Sequence, residues 1–162
     1  MSEKDDPYWR LRPPAPTPAD EICSCTDAHP IVLNAALSQN PIYCVSCNRE
    51  LPPERVGFST EEAQGLDYCR AFYNAFFFLW LDCDEFEAWA KAQLSDPNSR
   101  VNTLAFEVVS DLNNYRPTFL WWFQDDGAED FEPLSRCPRC GASLAECWDY
   151  LCCKACSILV SN

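Results

Sequence analysis

Cys137-Pro138-Arg139-Cys140, twelve intervening residues, then Cys153-Lys154-Ala155-Cys156: this stretch decides how the rest of the chain is read. Each Cys-x-x-Cys forms a tight knuckle that points two thiolates at one place, and two knuckles close a tetrahedral four-cysteine site. Pro138 stiffens the first knuckle. Gly141, just past its second cysteine, supplies the left-handed backbone that such a knuckle needs. A site closed by four thiolates leaves no position for substrate, so the motif predicts a structural zinc ribbon over residues 136–162 and says little about activity. Iron fits the same tetrahedral thiolates, and zinc suits a closed ribbon better.

Upstream, residues 20–58 carry a second cysteine group, Cys23-Ser24-Cys25 followed by Cys44-Val45-Ser46-Cys47. Between the pairs, Pro30-Ile31-Val32-Leu33 and Pro41-Ile42-Tyr43 read as short strands, β-branched and apolar, with the turn residues Ser38-Gln39-Asn40-Pro41 between them. Knuckle, strand, turn, strand, knuckle predicts an N-terminal ribbon with ligands Cys23, Cys25, Cys44 and Cys47. His29, the single histidine, is an alternative ligand for one of these positions. Cys152 is similarly an alternative to Cys153.

Residues 1–19 hold five prolines and read as an extended leader or a strap, with Tyr8, Trp9 and Leu11 as anchors. Residues 59–135 form the helical middle. Ser59-Thr60-Glu61-Glu62 is a capping box, and the helix it opens runs to about Leu81. Leu66, Cys69, Tyr73, Phe76 and Trp80 fall at three- and four-residue steps, while Phe72, Phe77, Phe78 and Leu79 widen that stripe, which predicts burial of the second half on several sides. Asp82-Cys83-Asp84-Glu85 starts a shorter helix with Phe86, Trp89, Ala90 and Leu94 on one face. A third helix places Val101, Leu104, Ala105, Val108 and Leu112 on one side, and residues 113–117 stop it. Residues 118–124 read as a strand apolar on both faces, followed by an acidic loop. The predicted fold class is α+β: about three core helices with few short strands, bracketed by two zinc-ribbon modules.

With 12 Lys+Arg against 25 Asp+Glu, the formal charge is −13, which argues against broad phosphate contact and favours encounter with a basic protein. No apolar h-region opens the chain and no apolar run approaches a membrane span, so the twelve cysteines read as zinc thiolates in a reducing cytoplasm rather than as disulfides. No Gly-rich phosphate loop, His-Glu-x-x-His helix or Gly-x-Ser-x-Gly elbow is present, and one histidine excludes most triads; the chain reads as non-enzymatic. Four cysteines are left over: Cys69, Cys83, Cys147 and Cys152. Cys69 sits on the apolar helix stripe, where a thiol behaves as a small hydrophobe.

Two acidic groups remain, Asp82, Asp84, Glu85 and Glu87 in one and Asp125, Asp126, Glu129, Asp130 and Glu132 in the other. Each reads either as a solvated face or as a docking surface for a basic protein. Trp121 and Trp122, beside Phe119 and Phe123, could stack bases, but the acidic residues that follow favour a core strand.

From about Cys23 onward the chain resembles a family of uncharacterised bacterial proteins described as Zn-ribbon-containing, with nucleic-acid binding suggested for them. The resemblance is carried by Cys23-x-Cys25, by Pro41-Ile42-Tyr43-Cys44-x-x-Cys47 and by the middle segment from Leu79 to Glu87. Arg136-Cys137-Pro138-x-Cys140-Gly141 and the ending Cys153-x-x-Cys156-x-x-Leu159-Val160-Ser161-Asn162 complete it. It implies that the paired cysteines bind metal and that His29 does not. The proline-rich leader, Cys147 and Cys152 depart from the pattern. Two expectations follow. One is an acidic module, stabilised by two zinc ions, that binds a basic protein; its most concrete form is an immunity or inhibitor protein facing a toxin or effector. The other is a nucleic-acid-associated ribbon protein using Arg136, Arg139 and Lys154.

Overall fold

The computed structural model describes residues 6–36, 38–129 and 131–161. Chain order is β1 (Ile31–Leu33), β2 (Ile42–Cys44), α1 (Thr60–Asp82), α2 (Glu87–Ser95), α3 (Arg100–Leu112), β3 (Thr118–Trp121), β4 (Ala145–Cys147), β5 (Tyr150–Cys153) and β6 (Ile158–Ser161). The strands form one six-stranded sheet in the order β2-β1-β3-β6-β5-β4. This corrects the expectation of a few short strands. The strands are short, but the two cysteine modules share one continuous sheet. β1 and β2 form an antiparallel pair, β4, β5 and β6 an antiparallel meander, and β3 lies parallel to both β1 and β6 between them. The middle strand therefore joins the two modules.

Alternation along the strands sorts residues to two faces. Ile31, Leu33, Ile42, Leu120, Ile158 and Val160 face α1 and α3, where they meet Leu66, Cys69, Leu104, Ala105, Val109 and Leu112 in the main core. Val32, Phe119, Leu159, Cys147 and Cys152 turn to the opposite face and form a smaller cluster with Tyr43, Trp121 and Tyr150. α2 buries Ala90 and Leu94, and Leu94 forms a third cluster with Ala35, Tyr73, Val101 and Phe123. The main core is thus built by α1 and α3 on the sheet, with α2 packed beside them.

Local chemistry explains the boundaries. Ser59 and Glu62 form the capping box that opens α1. Ser99 accepts from the Asn102 N–H and opens α3. The buried Asn102 amide donates to the carbonyls of Gln93, Leu94 and Asp96, satisfying the last turn of α2. Asn113 does the same work between α3 and β3: its amide donates to the Val109 carbonyl, and its oxygen accepts the Thr118 N–H at 2.9 Å.

Two other expectations need correcting. The second half of α1 is not buried on several sides: Phe72, Phe76, Phe77 and Trp80 pack against the third cluster, while Phe78 is 49% exposed and Leu81 is 51% exposed. Phe86 and Trp89 do not share the buried face of Ala90 and Leu94; both are exposed. In the leader, Tyr8 donates its hydroxyl to the Phe58 carbonyl at 2.8 Å and Leu11 is buried, whereas Trp9 is exposed and anchors nothing in the core. Residues 1–5 lie outside the described residues. No helix among the described residues is long and apolar enough to cross a membrane.

Candidate metal centres and the acidic flank

The sulfurs of Cys23, Cys25, Cys44 and Cys47 lie within 4.8 Å of one another, and so do those of Cys137, Cys140, Cys153 and Cys156. A metal–thiolate bond of about 2.3 Å in a tetrahedron sets sulfurs about 3.8 Å apart. Cys140 and Cys153 Sγ stand 3.7 Å apart, a tetrahedral edge and far beyond a disulfide. Each group is therefore arranged to hold one metal ion. His29 belongs to neither group, whose members are cysteines alone.

Three knuckles share one backbone device. The residue after the second cysteine is left-handed in each: Asn48 at φ 50°, Gly141 at φ 73° and Ser157 at φ 53°. The turn is closed by Asn48 N–H to the Cys44 carbonyl at 2.9 Å and by Gly141 N–H to the Cys137 carbonyl at 2.8 Å. The sequence signalled only Gly141, because glycine alone advertises this conformation. Asn is the next most tolerant residue there, and Ser157, just before β6, is held by the Leu120 N–H, which donates to its carbonyl at 2.8 Å.

The modules are also tied to their surroundings. Arg55 donates its guanidinium to the carbonyls of Cys23 and Cys25, fixing the Cys-x-Cys loop. Cys23 N–H donates to the Glu50 carbonyl at 2.8 Å, which closes the N-terminal module behind β2. In the C-terminal module the Ala142 N–H draws the Cys140 thiol down to about 7, helped by the neighbouring sulfurs of Cys156 and Cys137. Burial pushes the Cys47 thiol up to about 12 and pushes that of Cys156 up as well. Neighbouring sulfurs that compete for protons in this way are relieved when a cation displaces those protons.

Cys147 and Cys152 are joined in a disulfide, correcting the reading that the chain has thiolates only. The register explains it. On the β4–β5 hairpin Ala145 faces Cys152 and Cys147 faces Tyr150, so both cysteines fall on one side of the sheet with Cα atoms 5.8 Å apart. That side is opposite to Cys153, and Cys152 cannot replace it as a ligand. Cys69 is buried, and desolvation pushes its thiol up to about 12, as for an inert core cysteine.

Among the carboxylates, Asp82, Asp84, Glu85 and Glu87 are all exposed. Asp126, Glu129 and Glu132 are exposed too, Asp125 is half-buried, and Asp130 lies outside the described residues. The Lys91 ammonium, one helical turn beyond Glu87 on α2, lies 2.6 Å from the Asp125 carboxylate. The acidic loop is thereby held against the helix that begins with the first acidic group. Of the basic residues, Arg136 donates to the Gly141 carbonyl at 3.0 Å and Arg139 lies 4.3 Å from the centre of the Phe106 ring, while Lys154 is exposed. Trp122, Phe119 and Phe123 are buried in the core, and Trp121 packs edge-on against Tyr150.

No family model, curated protein or solved structure matches the chain.

Proposed function

We propose that the chain is a non-enzymatic protein-binding module, stabilised by two zinc ions, whose acidic flank receives a basic protein. The observation that carries this reading is the ion pair between Lys91 and Asp125, which sets the start of the acidic loop against the helix that opens with Glu87 of the other acidic group. Carboxylates that act together steer a positively charged partner and raise its association rate. Zinc is the metal of choice for the two groups because a closed tetrahedral thiolate site needs no redox change and no open position. Its role is structural: it fixes the loops at both ends of the sheet. An immunity or inhibitor protein that masks a toxin or effector is the most concrete form of this reading.

A tagged pull-down at moderate salt with nuclease, followed by association kinetics, tests the proposal. One stoichiometric basic protein is expected. Its association should slow by about tenfold when Asp84, Glu85 and Glu87 are changed to lysine. Partners that vanish with nuclease, or kinetics unchanged by charge reversal, would overturn it.

A further inference from the structure

A run of aromatic rings follows one flank of α1 and crosses to α2. Tyr68 stacks on Phe72 with ring centres 6.1 Å apart, Phe72 meets Phe76 edge-on at 5.2 Å, and Phe76 stacks on Trp89 at 5.3 Å. Tyr68 is 60% exposed and Trp89 is 51% exposed. Rings held in a fixed row present apolar area that costs little further entropy to bury, and such residues dominate the energetics of protein interfaces. The fully buried residues of α1 are Ala63, Leu66, Cys69 and Tyr73, while Phe72 and Phe76 are half-buried, packing one side against the core and leaving the other beside Tyr68 and Trp89.

We propose that the ring row receives an amphipathic helix of a partner protein, with lysines or arginines gathered at one end of the apolar stripe of that helix. The inference rests on the acidic docking reading above and adds the contact that would make it selective. Length supports it: the eight steps from Tyr68 to Phe76 rise about 12 Å, matching two to three turns of a docked helix. Charge supplies the polarity. At the Phe76 and Trp89 end, the link between α1 and α2 carries the four exposed carboxylates of residues 82–87, none of them in an ion pair among the described residues. At the Tyr68 end, Arg10 and Arg70 are both engaged by Asp67, at 3.6 and 2.9 Å. Among the described residues, Glu61, seven residues before Tyr68, is the one exposed carboxylate of α1 at that end outside an ion pair, so a basic terminus meets the larger unpaired acidic group at the Phe76 and Trp89 end. A second copy of this chain, an anionic membrane or a nucleic acid would bring negative charge to that same end.

The test uses the full metal-loaded chain and three fluorescent peptides of equal length, read by anisotropy. One carries a leucine stripe with a lysine cluster at one end. The second scrambles the same residues so that no stripe forms. The third replaces lysine by glutamate. The striped basic peptide should bind about tenfold tighter than its scrambled form, and Trp89→Ala or Tyr68→Ser should weaken it by about fivefold or more with melting unchanged. If the scrambled peptide binds as tightly, the ring row is overturned while acidic docking stands. If the glutamate peptide binds as tightly, the basic occupant is overturned and acidic docking falls with it. Failure of all three peptides to bind overturns the inference, and kinetics with the pulled-down partner then judge the docking reading separately.

Discussion

Lys91 Nζ lies 2.6 Å from Asp125 Oδ2, and this contact ties the loop after β3 to α2. Lys91 is 44% exposed at its side chain, so the pair contributes at most about 1 kcal/mol to stability. Its effect is on placement. Asp125→Asn should leave the melting temperature nearly unchanged while amide exchange rises across residues 125–129. Exchange that stays the same would mean that the loop is held by other contacts.

The capping box of α1 predicts a pH dependence. Glu62 accepts hydrogen bonds from Ser59 and, at 2.7 Å, from the Tyr115 hydroxyl, and these hold its carboxyl below the ordinary value of 4.5, the Ser59 contact contributing most. A carboxyl lowered in the folded state stabilises fully above its unfolded value and loses that contribution as pH falls through the folded one. Glu62→Gln should therefore lower the melting temperature at pH 7, and the gap from the parent should close below pH 4.5. Ser59→Ala should cost about 1 kcal/mol by denaturant titration. A gap that widens in acid would contradict this account.

Ser157 carries a left-handed φ of 53° at the knuckle after Cys156. Ser157→Gly should keep or raise stability, since glycine adopts this conformation without strain. Ser157→Val should lose about 1–2 kcal/mol, because a β-branched side chain fits it poorly. Equal stability of the two variants would show that the knuckle rearranges.

Adjacent cysteines should behave differently. Cys152→Ala and Cys147→Ala remove a disulfide on the sheet face opposite the thiolate group and should keep the full metal content. Cys153→Ala removes a member of the C-terminal group and should lose one ion per chain. Loss of metal from Cys152→Ala would reverse the assignment of the two residues. Metal content of each purified variant decides it.

Much of this was readable because it is local. Paired cysteines, the Ser59–Glu62 box and the three- and four-residue spacing of α3 each specify their structure within a few residues. The sheet is different. Its strands run only three or four residues, and β3 finds β1 and β6 across long stretches of chain, so the pairing depends on what the helices leave uncovered. Periodicity also cannot distinguish an aromatic that fills a core from one that stands on a surface. Phe78 and Trp89 fit an apolar stripe in sequence and are exposed in the fold. Asn48 and Ser157 gave no signal for a left-handed turn, and the Cys147–Cys152 pairing follows from hairpin register that spacing alone does not reveal.

Both ends of one sheet are held by four-thiolate groups, so metal and fold should be inseparable. Native mass spectrometry of the full chain purified without added metal, paired with melting before and after chelation, tests this most directly. The account predicts two zinc ions per chain, and loss of the cooperative transition when both are stripped. A chain that holds no metal, or one that melts unchanged after both ions are removed, would contradict it.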